Sequence, residues 1–132
     1  MDLYELSFGK IIILREDIAE VIINDNVVMD EQMVNEYHAF LLSHLRAPFS
    51  LLVNKINSYT YDFSAQRKLA ALQEINKMAV VVYNRATKVA TEYLASVPRE
   101  VPWNLKIFID RGIAYDWLVS VQDEINPERA SQ

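Results

Sequence analysis

The sequence predicts a single α/β domain built on a mixed, mostly parallel sheet with flanking helices, in the order β-β-α-β-α-β-α-β-α. Two observations carry this. Short β-branched runs recur at Ile11–Leu14, Ile18–Ile23, Phe49–Val53, Met78–Tyr83 and Leu105–Ile109. Between most of them lie segments whose apolar residues return every three or four positions, the period of a helix packed on one face. Strands that alternate with helices of that length imply crossover connections and a parallel sheet.

Gly9-Lys10 breaks the first stretch, Leu3 to Phe8, from the run Ile11–Leu14, and the polar trio Arg15-Glu16-Asp17 separates that run from Ile18–Ile23. Two β-branched runs joined by three polar residues predict an antiparallel hairpin, which makes the sheet mixed. Asp30 is placed to cap a helix of about four turns, in which Met33, Tyr37, Phe40, Leu41 and His44 follow at spacings of three and four. Pro48 stops it, because proline removes a backbone donor and restricts the residue before it. Phe49–Val53 then predicts a central strand covered on both faces.

After the polar stretch Asn54 to Asp62, with Asp62 or Ser64 as the cap, Ala65, Leu69, Leu72 and Ile75 predict a second helix extending to Lys77. Met78–Tyr83 is the next strand, and Ala90, Tyr93, Leu94 and Val97 mark a third helix. Pro98 and Pro102 bracket a loop before the last strand, in which Leu105, Ile107 and Ile109 alternate with Lys106 and Phe108. Ala114, Trp117, Leu118 and Val121 give the final stripe. One domain over residues 1–125 and a frayed tail over 126–132 are expected.

Composition narrows the function. The 132 residues are 52% hydrophobic and 23% charged, within the range of a folded globular domain rather than a disordered chain. A formal charge of −5, with Arg67-Lys68 as the only adjacent basic pair, argues against a general nucleic-acid binder, which needs cations to displace phosphate counterions. The first residues lack the pattern of a secretory signal and no apolar run reaches the length of a membrane span, so a cytoplasmic protein is expected.

No cysteine is present, which removes disulfides, thiolate zinc sites and cysteine nucleophiles. With Gly9 and Gly112 as the only glycines, neither a dinucleotide fingerprint nor a phosphate-binding loop can be written. No serine stands in a nucleophile elbow. His38 and His44 are six apart, not the three or four that lets two imidazoles share a metal, so both are expected at solvated helix positions. Carboxylate pairs such as Glu16-Asp17 and Asp123-Glu124 are expected in solvent. The expectation is a non-enzymatic protein with no cofactor and no metal.

The segment Asn54 to Ser64 is where function is expected. It leaves the carboxyl end of a buried strand, where open α/β sheets gather ligands, and it presents hydroxyls near a helix start. Asn54, Lys55, Asn57, Ser58, Tyr59, Thr60, Tyr61 and Ser64 are the candidate partner- or ligand-binding residues. Tyr59, Tyr61 and Phe63 stand in an otherwise polar loop, where aromatics either anchor a partner, line a cleft, or fold back over the sheet edge. Trp103, after two prolines, is expected to cap the core.

The order of elements, with a last strand ending Ile107-Phe108-Ile109-Asp110 and a helix carrying Ala114-x-x-Trp117-Leu118, resembles the SpoIIAA-like branch of STAS domains, the anti-sigma-factor-antagonist fold. The resemblance runs from about Lys10 to about Val121, and the stretch Phe40 to Ser58 is similar to single-domain members of Bacteroidetes type. It implies a regulatory module that contacts a protein partner or a second copy of itself, with the Asn54 to Ser64 loop and the adjoining helix Ala65 to Lys77 as the expected surface; separately, the apolar first strand Leu3 to Phe8 predicts a homodimer. It also implies an alternative, a small-molecule, nucleotide or lipid-binding module, because STAS folds are similar to the lipid-carrying SEC14-like fold. The phosphorylated Asp-Ser-Ser-Gly turn of classical members is absent. Ser58, Thr60 and Ser64 stand in that region without its context, so the phosphoserine switch is not carried over.

Overall fold

The computed structural model describes residues 2–128. It is a single α/β layer structure. A six-stranded sheet has the order β1 (Asp2–Leu6), β2 (Gly9–Arg15), β3 (Ile18–Ile23), β5 (Phe49–Asn54), β7 (Ile75–Val81) and β8 (Leu105–Phe108). The first three strands pair antiparallel, and β3, β5, β7 and β8 pair parallel. Among the described residues there are four helices: α1 (Glu31–His44), α2 (Phe63–Lys68), α3 (Arg85–Ser96) and α4 (Arg111–Ile125). A two-stranded parallel ribbon joins β4 (Val28–Met29) to β6 (Thr60–Tyr61).

Alternation along the strands sorts side chains onto two faces. Leu51 and Val53 of β5 join Val21, Val80, Tyr37, Leu41 and Leu94 in the larger core, on the side of α1, α2 and α3. Leu52 joins Ile18, Ala79, Val81, Phe108, Ala114 and Leu118 in a smaller core under α4. All six residues of β5 are buried, as its uninterrupted apolar character requires of a central strand.

Several boundaries differ from the sequence expectation. The opening forms three antiparallel strands, not two: the chain turns at Ser7-Phe8, and Gly9-Lys10 begins β2. Gly9 is required there because a Cβ would collide with the Ile22 carbonyl of the neighbouring strand. The second helix does not reach Lys77. It ends at Lys68, Ala70 takes a left-handed φ of 53°, and Ile75–Lys77 opens β7. Leu72 and Ile75 kept a helical spacing but belong to the turn and the strand that follow.

On α3 the buried residues are Thr91 and Leu94, whereas Ala90 and Tyr93 are exposed. On α4, Gln122 is buried with Ala114 and Leu118, and Trp117 and Val121 are partly buried. Asp30 and Asp62 cap α1 and α2 through Met33 N and Ala65 N at 2.8 and 2.9 Å. Pro127 and Glu128 follow α4 in a tight turn, and the rest of the expected frayed tail, 129–132, lies outside the described residues. No helix among the described residues is long and apolar enough to cross a membrane.

Two expectations about polar residues are corrected. His38 is not solvated: its Nε2 accepts a hydrogen bond from Ala70 N at 3.0 Å, and burial pulls its pKa down to about 4. Asp17 is not in solvent either. It is fully buried, pairs with Arg15 at 3.1 Å and accepts from Gln122 Nε2 at 3.0 Å. His44 is exposed as expected, and its ring stacks on Phe40 with centroids 3.9 Å apart.

Candidate functional site

At the carboxyl ends of the parallel strands an open cleft of about 500 Å3 separates the Asn54–Ser64 segment from α3. That volume lies within the range of sites that take small organic ligands, roughly 300–1,000 Å3. Lys55, Asn57, Ser58, Tyr59, Thr60 and Tyr61 form one wall. Gln66 of α2 and Ala86, Thr87, Ala90, Tyr93 and Leu94 of α3 form the rest.

The loop wall is held by the chain that leads from β3 to α1. Asn57 Nδ2 donates to Ile23 O at 2.9 Å, Asn26 N to Ser58 O at 2.7 Å, and Ser58 N to Asp25 Oδ1 at 2.8 Å. The β4–β6 ribbon continues the seam, with Thr60 N donating to Val27 O at 3.0 Å and Asp62 N to Met29 O at 2.9 Å. A polar loop of this length is ordinarily mobile, but these bonds make it a fixed wall.

Alternation explains which residues face the cleft. Ser50, Leu52 and Asn54 point to the α4 side, so Lys55, one residue beyond β5, turns to the other side and into the cleft. Its backbone N donates to Val81 O at 3.0 Å, fixing the stem. Its amine lies 5.7 Å from the Tyr59 ring centroid and 6.0 Å from that of Tyr61. No ion pair or hydrogen bond engages this amine among the described residues. Burial lowers its pKa from 10.5 to about 8.

The neighbouring phenols do not supply a counter-charge. Burial raises the pKa of Tyr59 to about 12 and also raises those of Tyr61 and Tyr37, so all three are neutral near pH 7. Tyr61 leans its hydroxyl toward that of Tyr59 at 3.4 Å, a long contact. Behind Lys55 and Tyr61 a second cavity of about 20 Å3, room for one water, is lined by apolar side chains including Val21, Tyr37, Val53 and Trp103. Trp103 closes it as a core cap: its Nε1 donates to Leu69 O at 2.8 Å, and Arg99 lies 3.9 Å above its ring.

Two predicted residues fall outside the cleft. Asn54 is buried on the opposite face, where Nδ2 donates to Glu20 Oε2 at 2.9 Å and Oδ1 accepts from the Tyr83 hydroxyl at 2.8 Å. Glu20 also binds Arg111; burial opposes its ionisation, but the hydrogen bonds from Arg111 and Asn54 outweigh it and hold its pKa below the usual value. Ser64 is exposed on α2 with its hydroxyl on Asp62 Oδ1 at 3.2 Å. The start of α2 is therefore already occupied by a carboxylate. Among the described residues no cluster of His, Asp and Glu could hold a metal ion.

The α3 wall was missed by sequence reasoning. Ala86, Thr87, Ala90 and Tyr93 recur at helical spacing, and the stripe Ala90, Tyr93, Leu94 predicts a helix without showing that all three residues line a cleft. No family model matches this chain, and neither a curated protein nor a solved structure does.

Proposed function

We propose that this chain is a small-molecule-binding module of STAS-like layout, and that its ligand occupies the cleft between the Lys55–Tyr61 wall and α3. The observation that carries this reading is the unpaired Lys55 amine at the floor of a cleft of about 500 Å3, set between tyrosine rings. A partly desolvated cation without a counter-charge is costly, and a ligand that contacts it recovers part of that cost. Aromatic and apolar walls around a few polar groups are the usual composition of such sites.

The surroundings of the hydroxyls speak against a phosphoserine switch here. The Ser64 hydroxyl leans on Asp62 Oδ1, so phosphate there would meet a carboxylate, and the backbone amide of Ser58 is already engaged by Asp25. The test is a thermal-shift screen of a metabolite collection on the wild-type chain and on Ala90→Trp, whose indole fills the cleft from an exposed helix position. A ligand at a hundredfold excess over its Kd is expected to stabilise the wild type by about 2.7 kcal/mol and to leave Ala90→Trp unchanged. Stabilisation of both alike would place the ligand elsewhere.

A protein-interaction role is the second reading. Phe63 and Tyr93 are 77% and 67% exposed and line the same shallow groove beside α2, a larger apolar display than solvation favours. Self-association through β1, whose outer edge pairs with no other strand among the described residues, belongs to this reading. A Phe63→Ser variant, at a residue outside the cleft, that keeps ligand binding but loses partner capture would separate the two.

A further inference from the structure

We propose that Lys55 is a reactive amine that captures an aldehyde or ketone as an imine at the floor of the cleft. The proposal rests on the reading of the cleft as a small-molecule site and names the class of compound it takes.

Position is the first argument. Of the six lysines in the chain, at 10, 55, 68, 77, 88 and 106, Lys55 alone lines both the cleft and the inner cavity. Lys68, by contrast, pairs with Glu31, and Lys106 lies over the Phe108 and Trp117 rings on the outer edge strand. A salt bridge favours the protonated amine, which has no free lone pair; among the described residues the Lys55 amine makes none. The rings of Tyr59 and Tyr61 shield it from bulk water while the cleft stays open on its outer side. The aliphatic and aromatic surface of Ala90, Tyr93 and Leu94 offers a wall for the body of a carbonyl compound.

Protonation agrees with position. With its pKa near 8, roughly one Lys55 amine in ten is neutral at pH 7, against about one in three thousand for a lysine at 10.5. Only the neutral amine is a nucleophile, so the difference is a large kinetic advantage. The nitrogen lone pair attacks the carbonyl carbon, forming a C–N bond while the carbonyl π pair moves to oxygen. That oxygen gains a proton and nitrogen loses one, giving a carbinolamine. Protonation of its hydroxyl lets water leave as the C=N bond forms, and the protons exchange with solvent at the open mouth. Nothing is oxidised or reduced, and hydrolysis reverses the capture.

The experiment uses benzaldehyde with sodium cyanoborohydride, which reduces the imine to a stable secondary amine, followed by peptide mass mapping of all six lysines. Labelling of Lys55 at least tenfold faster than any other lysine at pH 7.5, with a rate that levels off above about pH 8, is the expected result. Lys55→Met and Lys55→Arg should both lose that adduct and keep the slow background. Even labelling across the six sites, or a Lys55 rate still climbing toward pH 10 like the others, would overturn the proposal. Ala90→Trp separates the two layers of the argument. If it slows benzaldehyde but not formaldehyde at Lys55, cleft and amine are both supported. If metabolites stabilise the wild type through the cleft but no carbonyl labels Lys55, the imine fails and the binding reading stands.

Discussion

Single side chains fix this fold at points where the sequence gives little warning. His38 is the clearest. Its Nε2 can accept from Ala70 N only while unprotonated, so the neutral ring holds the turn that ends α2. Its folded pKa of about 4 lies below the ordinary value of 6.5. Between those values the unfolded chain binds a proton that the folded chain refuses. The stabilisation is therefore complete above pH 6.5 and is lost as pH falls toward 4. After discounting for partial solvent contact the loss is roughly 2 kcal/mol. Urea unfolding at pH 7 and pH 4.5 should show it in the wild type and a smaller difference in His38→Gln.

Gln122 is a second such point. It is fully buried, accepts from Ser50 Oγ at 2.6 Å and Asn76 Nδ2 at 3.0 Å, and donates to Asp17 Oδ2 and Pro48 O at 3.0 and 2.9 Å. All four of its hydrogen-bonding positions are used, tying α4 to the start of β5 and to the β2–β3 turn. Gln122→Ala strands these partners in the interior and should cost roughly 3 kcal/mol of unfolding free energy. A change below about 1 kcal/mol would mean that water replaces the amide.

At the scale of elements, β2 and β3 approach so closely at Gly9 that no side chain fits. Gly9→Ala should destabilise the chain by roughly 2–3 kcal/mol, and hydrogen exchange should locate the loss in β2 and β3. The strands were legible because runs such as Phe49–Val53 have little other use in a chain this short. The extent of α2 was not, since Leu69, Leu72 and Ile75 keep a three-residue spacing through a left-handed Ala70 and into β7. Spacing cannot register one positive φ. Nor could it register that Val28–Met29 pairs with Thr60–Tyr61, because two-residue strands carry no period.

For the whole molecule, the layer order could be read from alternating strand and helix patterns, and six of the eight candidate residues named at and after the end of β5 line one cleft. The cleft itself could not be read. It exists because α3 stands across from the Asn54–Ser64 segment, and the same spacing of Ala90, Tyr93 and Leu94 serves a core face or a cleft wall. Asn54 and Lys55 illustrate the limit: neighbours in sequence, they serve opposite faces of the sheet, one in a buried network with Glu20 and Tyr83, the other in the open site. The most direct measurement is therefore amide shift mapping by NMR with a compound found to stabilise the protein. The largest changes are expected at Lys55, Ser58, Thr60, Thr87 and Ala90, which line the cleft. Changes confined to α4 or to β1 and β2, with these five residues unmoved, would contradict the proposed site.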